Sequence, residues 1–183
     1  MNYRDKFYSR YVSTQTFRLY GEVSLDNIKK QFSVWKKYFG NFLPKDKNAK
    51  IVDLGCGSGG LVYWLKQIEY KNVLGVDISI EQIELAKKIG ITDVICENLV
   101  DFLKNKQGYY DVIFLRDVLE HFKKEEILEL LELIYKFLKK NGVVIIQLPN
   151  AESPFSGRFR YSDFTHEISF TEQSIQQVFS IFD

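Results

Sequence analysis

Lys50-Ile51-Val52-Asp53-Leu54-Gly55-Cys56-Gly57-Ser58-Gly59-Gly60 is the stretch whose reading decides the fold. Its first five residues are a short run rich in β-formers. The glycines then punctuate the chain, and the spacing of Leu61, Leu65 and Ile68 predicts a helix over 58–69. A strand that turns sharply into a helix leaves free N–H groups and a positive dipole end at the turn, where a ligand can approach the bare backbone. Gly55, Gly57 and Gly60 satisfy the G-x-G-x-x-G spacing of dinucleotide sites, a weak signal on its own. Asp53 departs from it, because nicotinamide sites usually carry an apolar residue two positions before the first glycine.

Towards the C-terminus the pattern alternates strand and helix. Strands are predicted over 50–54, 72–77, 93–96, 110–115 and 143–147. Between them fall a helix over 80–89 stopped by Gly90, a short one through Phe102, and an amphipathic one over 125–139. The last has Ile127, Leu131, Ile134 and Leu138 in register and is expected to end at Asn141-Gly142. A final helix is predicted over 171–181. Strands separated by helices mean an α/β fold, an open parallel sheet covered on both faces. Ligands of such sheets bind beyond the carboxyl ends of the strands.

Towards the N-terminus, Ser24 is an expected N-cap, and Leu25, Ile28, Phe32, Trp35 and Phe39 predict a helix to Gly40. Pro44 and the polar residues after it read as a linker. Tyr3, Phe7, Tyr8, Tyr11, Phe17 and Tyr20 fall in a basic, aromatic first segment without clear period. Residues 1–47 are therefore expected to form a helical cap, and residues 48–183 the ligand-binding domain.

The 183 residues suit one domain with a real core, at 45% apolar. A net charge of +1 argues against a dedicated nucleic-acid binder. The charge is uneven: residues 1–50 hold 11 Lys/Arg against 4 Asp/Glu, which reads as a solvated helix face or as a cap that meets an acidic acceptor. Cys56 and Cys96 do not look like a disulfide framework, no apolar leader opens the chain, and no run is long enough to span a bilayer. A cytoplasmic location is the expectation.

Asp77 lies 22 residues beyond Gly55, at the end of the second predicted strand, where an acid suits the two hydroxyls of a ribose. The plainer alternative is an N-cap. The fourth strand runs into Arg116-Asp117-Val118-Leu119-Glu120-His121, the fifth into Gln147-Leu148-Pro149-Asn150, and Asp163-Phe164-Thr165-His166-Glu167-Ile168-Ser169-Phe170-Thr171 follows. The only two histidines thus fall beyond the carboxyl edge of the sheet.

The run IVDLGCGSGGL closely resembles motif I of class I, Rossmann-like S-adenosylmethionine-dependent methyltransferases. The segments VLEH, LPN and D-x-T-H-x-x-x-F-T resemble a subgroup of them that often methylates hydroxyls of sugars, quinone precursors or other small acceptors. The resemblance covers roughly residues 48–180 and implies a sheet of order 3-2-1-4-5. It implies that Gly55, Cys56, Gly57 and Gly59 cradle the methionine part of S-adenosylmethionine and that Asp53 helps hold its ammonium group. Asp77 and Ile78 would then meet the ribose, Asn98 the adenine, and Asp117 would complete the cofactor site. S-adenosylhomocysteine would be the product.

An alcohol is a poor nucleophile until a base takes its proton, and histidine suits that task near neutral pH. His166 and His121 are the candidate catalytic bases, the alternative being that each merely holds a loop. No metal is required by this reading. A second reading uses Asp117, Glu120, His121 and His166 as ligands of one divalent cation. That set resembles the metal site of small-RNA 2′-O-methyltransferases, with Asp117 in place of a glutamate. Phe155, Arg158, Phe159, Arg160 and Tyr161 either line an acceptor pocket or form an ordinary surface loop.

A small-molecule or glycan O-methyltransferase is therefore expected, ahead of an RNA 2′-O-methyltransferase, a nicotinamide-dependent oxidoreductase and a catalytically silent cofactor-binding module. The family's usual sixth and seventh strands find no room before Asp183, so the fifth strand is expected to be an exposed edge, with a second copy of the chain as the candidate to cover it.

Overall fold

The computed structural model describes residues 3–17, 21–105 and 110–182. Tyr20 lies outside them. The sheet has five strands, β1 (Lys50–Leu54), β2 (Asn72–Asp77), β3 (Val94–Cys96), β4 (Tyr110–Arg116) and β5 (Leu138–Gln147). Their order is β3-β2-β1-β4-β5 and every pairing is parallel, as expected. In β1 only Lys50 is exposed, and Val112 to Leu115 of β4 are all buried. Central parallel strands are covered on both faces, so they read as continuous apolar runs rather than alternating ones.

Two apolar clusters flank the sheet. One face takes α2 (Leu25–Lys29), α3 (Phe32–Phe39), α4 (Gly60–Gln67) and α5 (Ile80–Lys88), through residues such as Ile28, Phe39, Trp64 and Ile83. The other takes α6 (Leu99–Asn105), α7 (Lys124–Phe137) and α9 (Glu172–Phe179), through Phe102, Ile127, Leu131 and Ile175. α1 (Tyr3–Tyr8) precedes a turn of π-helix over Val12–Thr16, and α8 (Ser156–Ser162) lies between β5 and α9.

Several boundaries differ from the predicted ones. The helix expected over 25–40 is broken after Lys29: the Gln31 N–H bonds the carbonyl of Ile28 rather than continuing the four-residue ladder. Ser24 caps α2 as expected, accepting from the Asn27 N–H. α4 ends at Gln67, because Glu69 takes a left-handed φ of 72° and the Tyr70 N–H reaches back to Leu65. α7 ends at Phe137, so Leu138 belongs to β5, where it pairs with Tyr110. The register then shifts, and Val112 pairs with Val143. Asn141, at φ 66°, and Gly142 thus form a bulge inside the strand rather than a helix end.

β5 is an edge of the sheet among the described residues. Ile146, Leu148, Ile175 and Phe179 line a shallow groove of about 570 Å³ beside it. Among the described residues no helix is long and apolar enough to cross a membrane.

Candidate active site

The glycine loop is built from the sheet outward. The Gly55 and Cys56 N–H groups both donate to the Val76 carbonyl, which bends the chain away from β1. Gly55 sits at φ 76°, and a Cβ there would lie 2.3 Å from a Val118 methyl. The Gly57 N–H donates to Asp77 Oδ2 at 2.8 Å, and the Ser79 N–H donates to Asp77 Oδ1 at 2.8 Å. Asp77 is therefore not the cap of α5; that role falls to Ser79, which accepts from the Gln82 N–H. Each Asp77 oxygen keeps a lone pair for a hydroxyl donor. Burial raises the Asp77 carboxyl, and the two N–H donors oppose it.

Asp53 lies beneath this loop, 1% exposed. Its Oδ1 is buried without a hydrogen-bond partner, and burial pushes its carboxyl up to about 6 against the pull of Arg116. An orphaned carboxylate oxygen below an open glycine loop fits a cationic group such as the ammonium of an amino-acid moiety. Arg116 packs over Trp35 at 5.2 Å, with its Nε also buried and unpartnered. Of the other predicted cofactor residues, Cys56 is buried and Ile78 is exposed. Asn98 is exposed, and its Oδ1 caps α6 by accepting from Val100 and Asp101. Asp117 takes a left-handed φ of 54° where β4 ends, and exchanges contacts with Gln147 through its N–H and its Oδ2.

The two histidines, predicted from separate motifs, meet: their ring centroids are 4.7 Å apart. The Glu167 and Ile168 N–H groups both donate to the Glu120 carbonyl, which ties the segment after α8 to the turn after β4. Thr165 is fully buried; its hydroxyl donates to Asp163 Oδ1 at 2.6 Å. Burial pushes Asp163 up, but bonds from Thr165 and Tyr11 outweigh it and hold the carboxyl low, hence ionised and accepting only. The Thr165 oxygen therefore accepts from His121 Nδ1, 2.8 Å away. His166 Nδ1 lies 3.1 Å from the Phe159 carbonyl and 3.3 Å from that of Arg160, which also accept only. Nδ1 is thus the donor in both rings, and Nε2 is the nitrogen that offers a lone pair in the neutral tautomer. Burial, then the neighbouring His166, lowers His121 well below its ordinary value, so it is neutral at pH 7.

Glu120 completes the cluster. It is 2% exposed and both carboxylate oxygens are buried without a partner. Burial, with Asp117 and Asp163 adding, pushes it up to about 8. One ligand-type atom from each of Glu120, His121 and His166 lies within 4.8 Å of the others; Asp117 is not part of that group.

Residues outside the predicted set shape this site. Tyr11 donates to Asp163 Oδ2 at 2.5 Å, and the Tyr8 and Tyr11 rings each sit 6.4 Å from His121. Phe7 stacks on Phe164 at 5.3 Å. Arg4 forks onto Glu126 at 2.9 and 2.7 Å and reaches Glu167 at 3.1 Å. Arg160 holds the carbonyls of His166 and Glu167, so it fixes a loop. Phe155, Phe159 and Tyr161 are largely exposed. Only the clustering of aromatics in the first segment hinted at these partners.

A five-stranded parallel sheet with a glycine loop after β1, an acid after β2 and an acid–histidine cluster beyond β4 defines a Rossmann-like nucleotide-cofactor domain. A methyltransferase-domain family model matches residues 28–182, and the chain belongs to that family. An uncharacterized protein of Rickettsia prowazekii is 34% identical over 117 residues, 60% of this chain and 46% of its own length. Phosphoethanolamine N-methyltransferase 3 of Arabidopsis thaliana is 29% identical over 64% of this chain and 25% of its own. The chain thus spans half or less of these curated relatives. The crystal structure of a SAM-dependent methyltransferase from Archaeoglobus fulgidus shares the fold, with a TM-score of 0.75 and 24% identity over 93% of this chain and 72% of that one.

Proposed function

We propose that this domain binds S-adenosylmethionine and transfers its methyl group to a hydroxyl of a small-molecule or glycan acceptor. The observation that carries the reading is the pair of histidines whose Nδ1 atoms are engaged, which leaves Nε2 of each ring to take a proton beyond the carboxyl edge of the sheet. When bound, the cofactor supplies a methyl group on a sulfonium, already activated for displacement. Asp53 receives the cofactor's ammonium group, the backbone of Gly55, Cys56, Gly57 and Gly59 lines its methionine part, and Asp77 accepts from the ribose hydroxyls. Ile78 packs beside the ribose, Asn98 contributes at the adenine through its remaining amide, and Asp117 borders the sulfur end.

What the chain must do for the acceptor is align it and take its proton. His121 or His166 accepts that proton at Nε2. The aromatic residues of the first segment and of 155–164 surround the approach. Residues 1–47 act as a cap on the domain formed by residues 48–183, and the domain works in the cytoplasm.

Calorimetric titration with S-adenosylhomocysteine tests the cofactor half: micromolar-range binding is expected, weakened about tenfold or more by Asp53→Asn and by Asp77→Ala. Incubation with radiolabelled S-adenosylmethionine and a panel of catechols, sugars and matched amines tests the acceptor half. Label on amines only would overturn the hydroxyl assignment.

A further inference from the structure

We propose that Glu120, His121 and His166 form a binding site for one divalent first-row transition-metal ion, of the zinc, cobalt or iron type. The proposal rests on the hydroxyl-methylation reading and changes its means: an ion, rather than a free imidazole, acidifies the acceptor hydroxyl.

Glu120 is the first reason. A buried carboxylate with neither oxygen paired is costly, and native structures compensate such groups. Among the described residues no side chain pairs with either oxygen. The second reason is geometry. The three candidate ligand atoms lie within 4.8 Å of one another. Metal–ligand bonds of about 2.0–2.2 Å place tetrahedral ligands about 3.4 Å apart, so the set has to close by little more than an ångström. The third is the outer layer of hydrogen bonds. Metal-bound histidines typically donate their other ring nitrogen to a carbonyl or a carboxylate-linked group, which fixes tautomer and orientation. His166 does this through the Phe159 carbonyl, and His121 through Thr165 to Asp163. Both rings are held ready to offer Nε2.

Two imidazoles and one carboxylate suit zinc, cobalt or iron better than magnesium or calcium, which favour all-oxygen sites. Three protein ligands leave a position open, the arrangement of catalytic rather than structural ions. Asp117 stays outside, engaged with Gln147. The open position takes the acceptor oxygen, whose proton leaves to solvent once its pKa is lowered. That oxygen then forms its bond to the methyl carbon as the carbon–sulfur bond breaks, and the electron pair stays on sulfur as S-adenosylhomocysteine.

The test uses the tag-free chain stripped with chelator and titrated with Co(II), whose visible absorption reports coordination, followed by displacement with Zn(II). The chain has only two histidines, so an imidazole-ligated ion has one place to go. One equivalent with micromolar or tighter affinity is expected, weakened at least tenfold by His166→Ala and by Glu120→Gln, and unchanged by Cys96→Ser. S-adenosylhomocysteine affinity, measured on the same samples, should stay within about twofold in both ligand variants, which shows that they fold. A folded parent that takes up no Co(II), or uptake indifferent to both ligand substitutions, would overturn the site. If such a parent still binds S-adenosylhomocysteine, the metal proposal fails alone; if it binds neither, the cofactor reading fails as well.

Discussion

The Thr165 hydroxyl stands between Asp163 and His121, donating to the first at 2.6 Å and accepting from the second at 2.8 Å. It fixes which nitrogen of His121 carries the proton. Thr165→Val keeps the shape and removes both bonds. The loss should cost about 1–3 kcal/mol, lowering Tm by several degrees. Methyl transfer should fall at least about tenfold with little change in S-adenosylhomocysteine affinity. Nitrogen NMR of His121 should show the tautomers becoming mixed; a single unchanged tautomer would refute the assignment.

Asp53 is buried at a cost to the unliganded fold. Its folded carboxyl is raised to about 6 from 3.8. The native state then holds the proton more tightly than the unfolded chain, so stability falls as pH rises from about 4 to about 6. Asp53→Asn removes that penalty. The unliganded variant should be more stable than the parent at pH 7, by about 2–3 kcal/mol, and should match it near pH 4. Denaturant melts at the two pH values check this; a variant less stable at pH 7 contradicts it.

Two glycines with the same backbone sign should respond differently to alanine. Gly55, at φ 76°, would drive its new Cβ to 2.3 Å from Val118. Gly90, at φ 93°, would meet nothing within 4 Å. Gly90→Ala should cost about 1 kcal/mol from backbone strain alone. Gly55→Ala adds overpacking of about 1–3 kcal/mol and should abolish cofactor binding. Thermal melts and calorimetry on the pair separate the two contributions.

Arg4 ties the first helix to α7 and to the segment carrying His166, through Glu126 and Glu167. These carboxylates are partly exposed, so Arg4→Ala should cost only about 1 kcal/mol. Its larger effect should be local. Cleavage within residues 3–17 by a limiting protease should speed up, and added salt should produce a similar change in the parent. Equal cleavage rates would show that the ion pairs do not hold this segment down.

The sheet was legible because its central strands are short, uninterrupted apolar runs set between glycine stops and helical stretches. Ile51 to Leu54 and Val112 to Leu115 are buried along their whole length, and nothing competes for them. The boundary at Phe137 was not legible. Leu138 continues the helical stripe of Ile127, Leu131 and Ile134, and only its pairing with Tyr110 places it in a strand. The glycine loop and the two histidine motifs could be read, since turn chemistry and residue type are local. The partners that set those histidines could not. Tyr11 and Asp163 are 152 residues apart, and whether Thr165 donates or accepts depends on what surrounds it in space.

The single parallel bridge between Asn150 and Phe170, with the Ala151 N–H donating to the Phe170 carbonyl, pinches off everything from 151 to 169 at its base. Insertions or exchanges near the exposed Phe155, Phe159 and Tyr161 are absorbed within that excursion, because neither β5 nor α9 has to move to accommodate them. The excursion therefore has an exposed tip that can vary and a base, next to Thr165 and His166, that the Glu120 carbonyl holds in place.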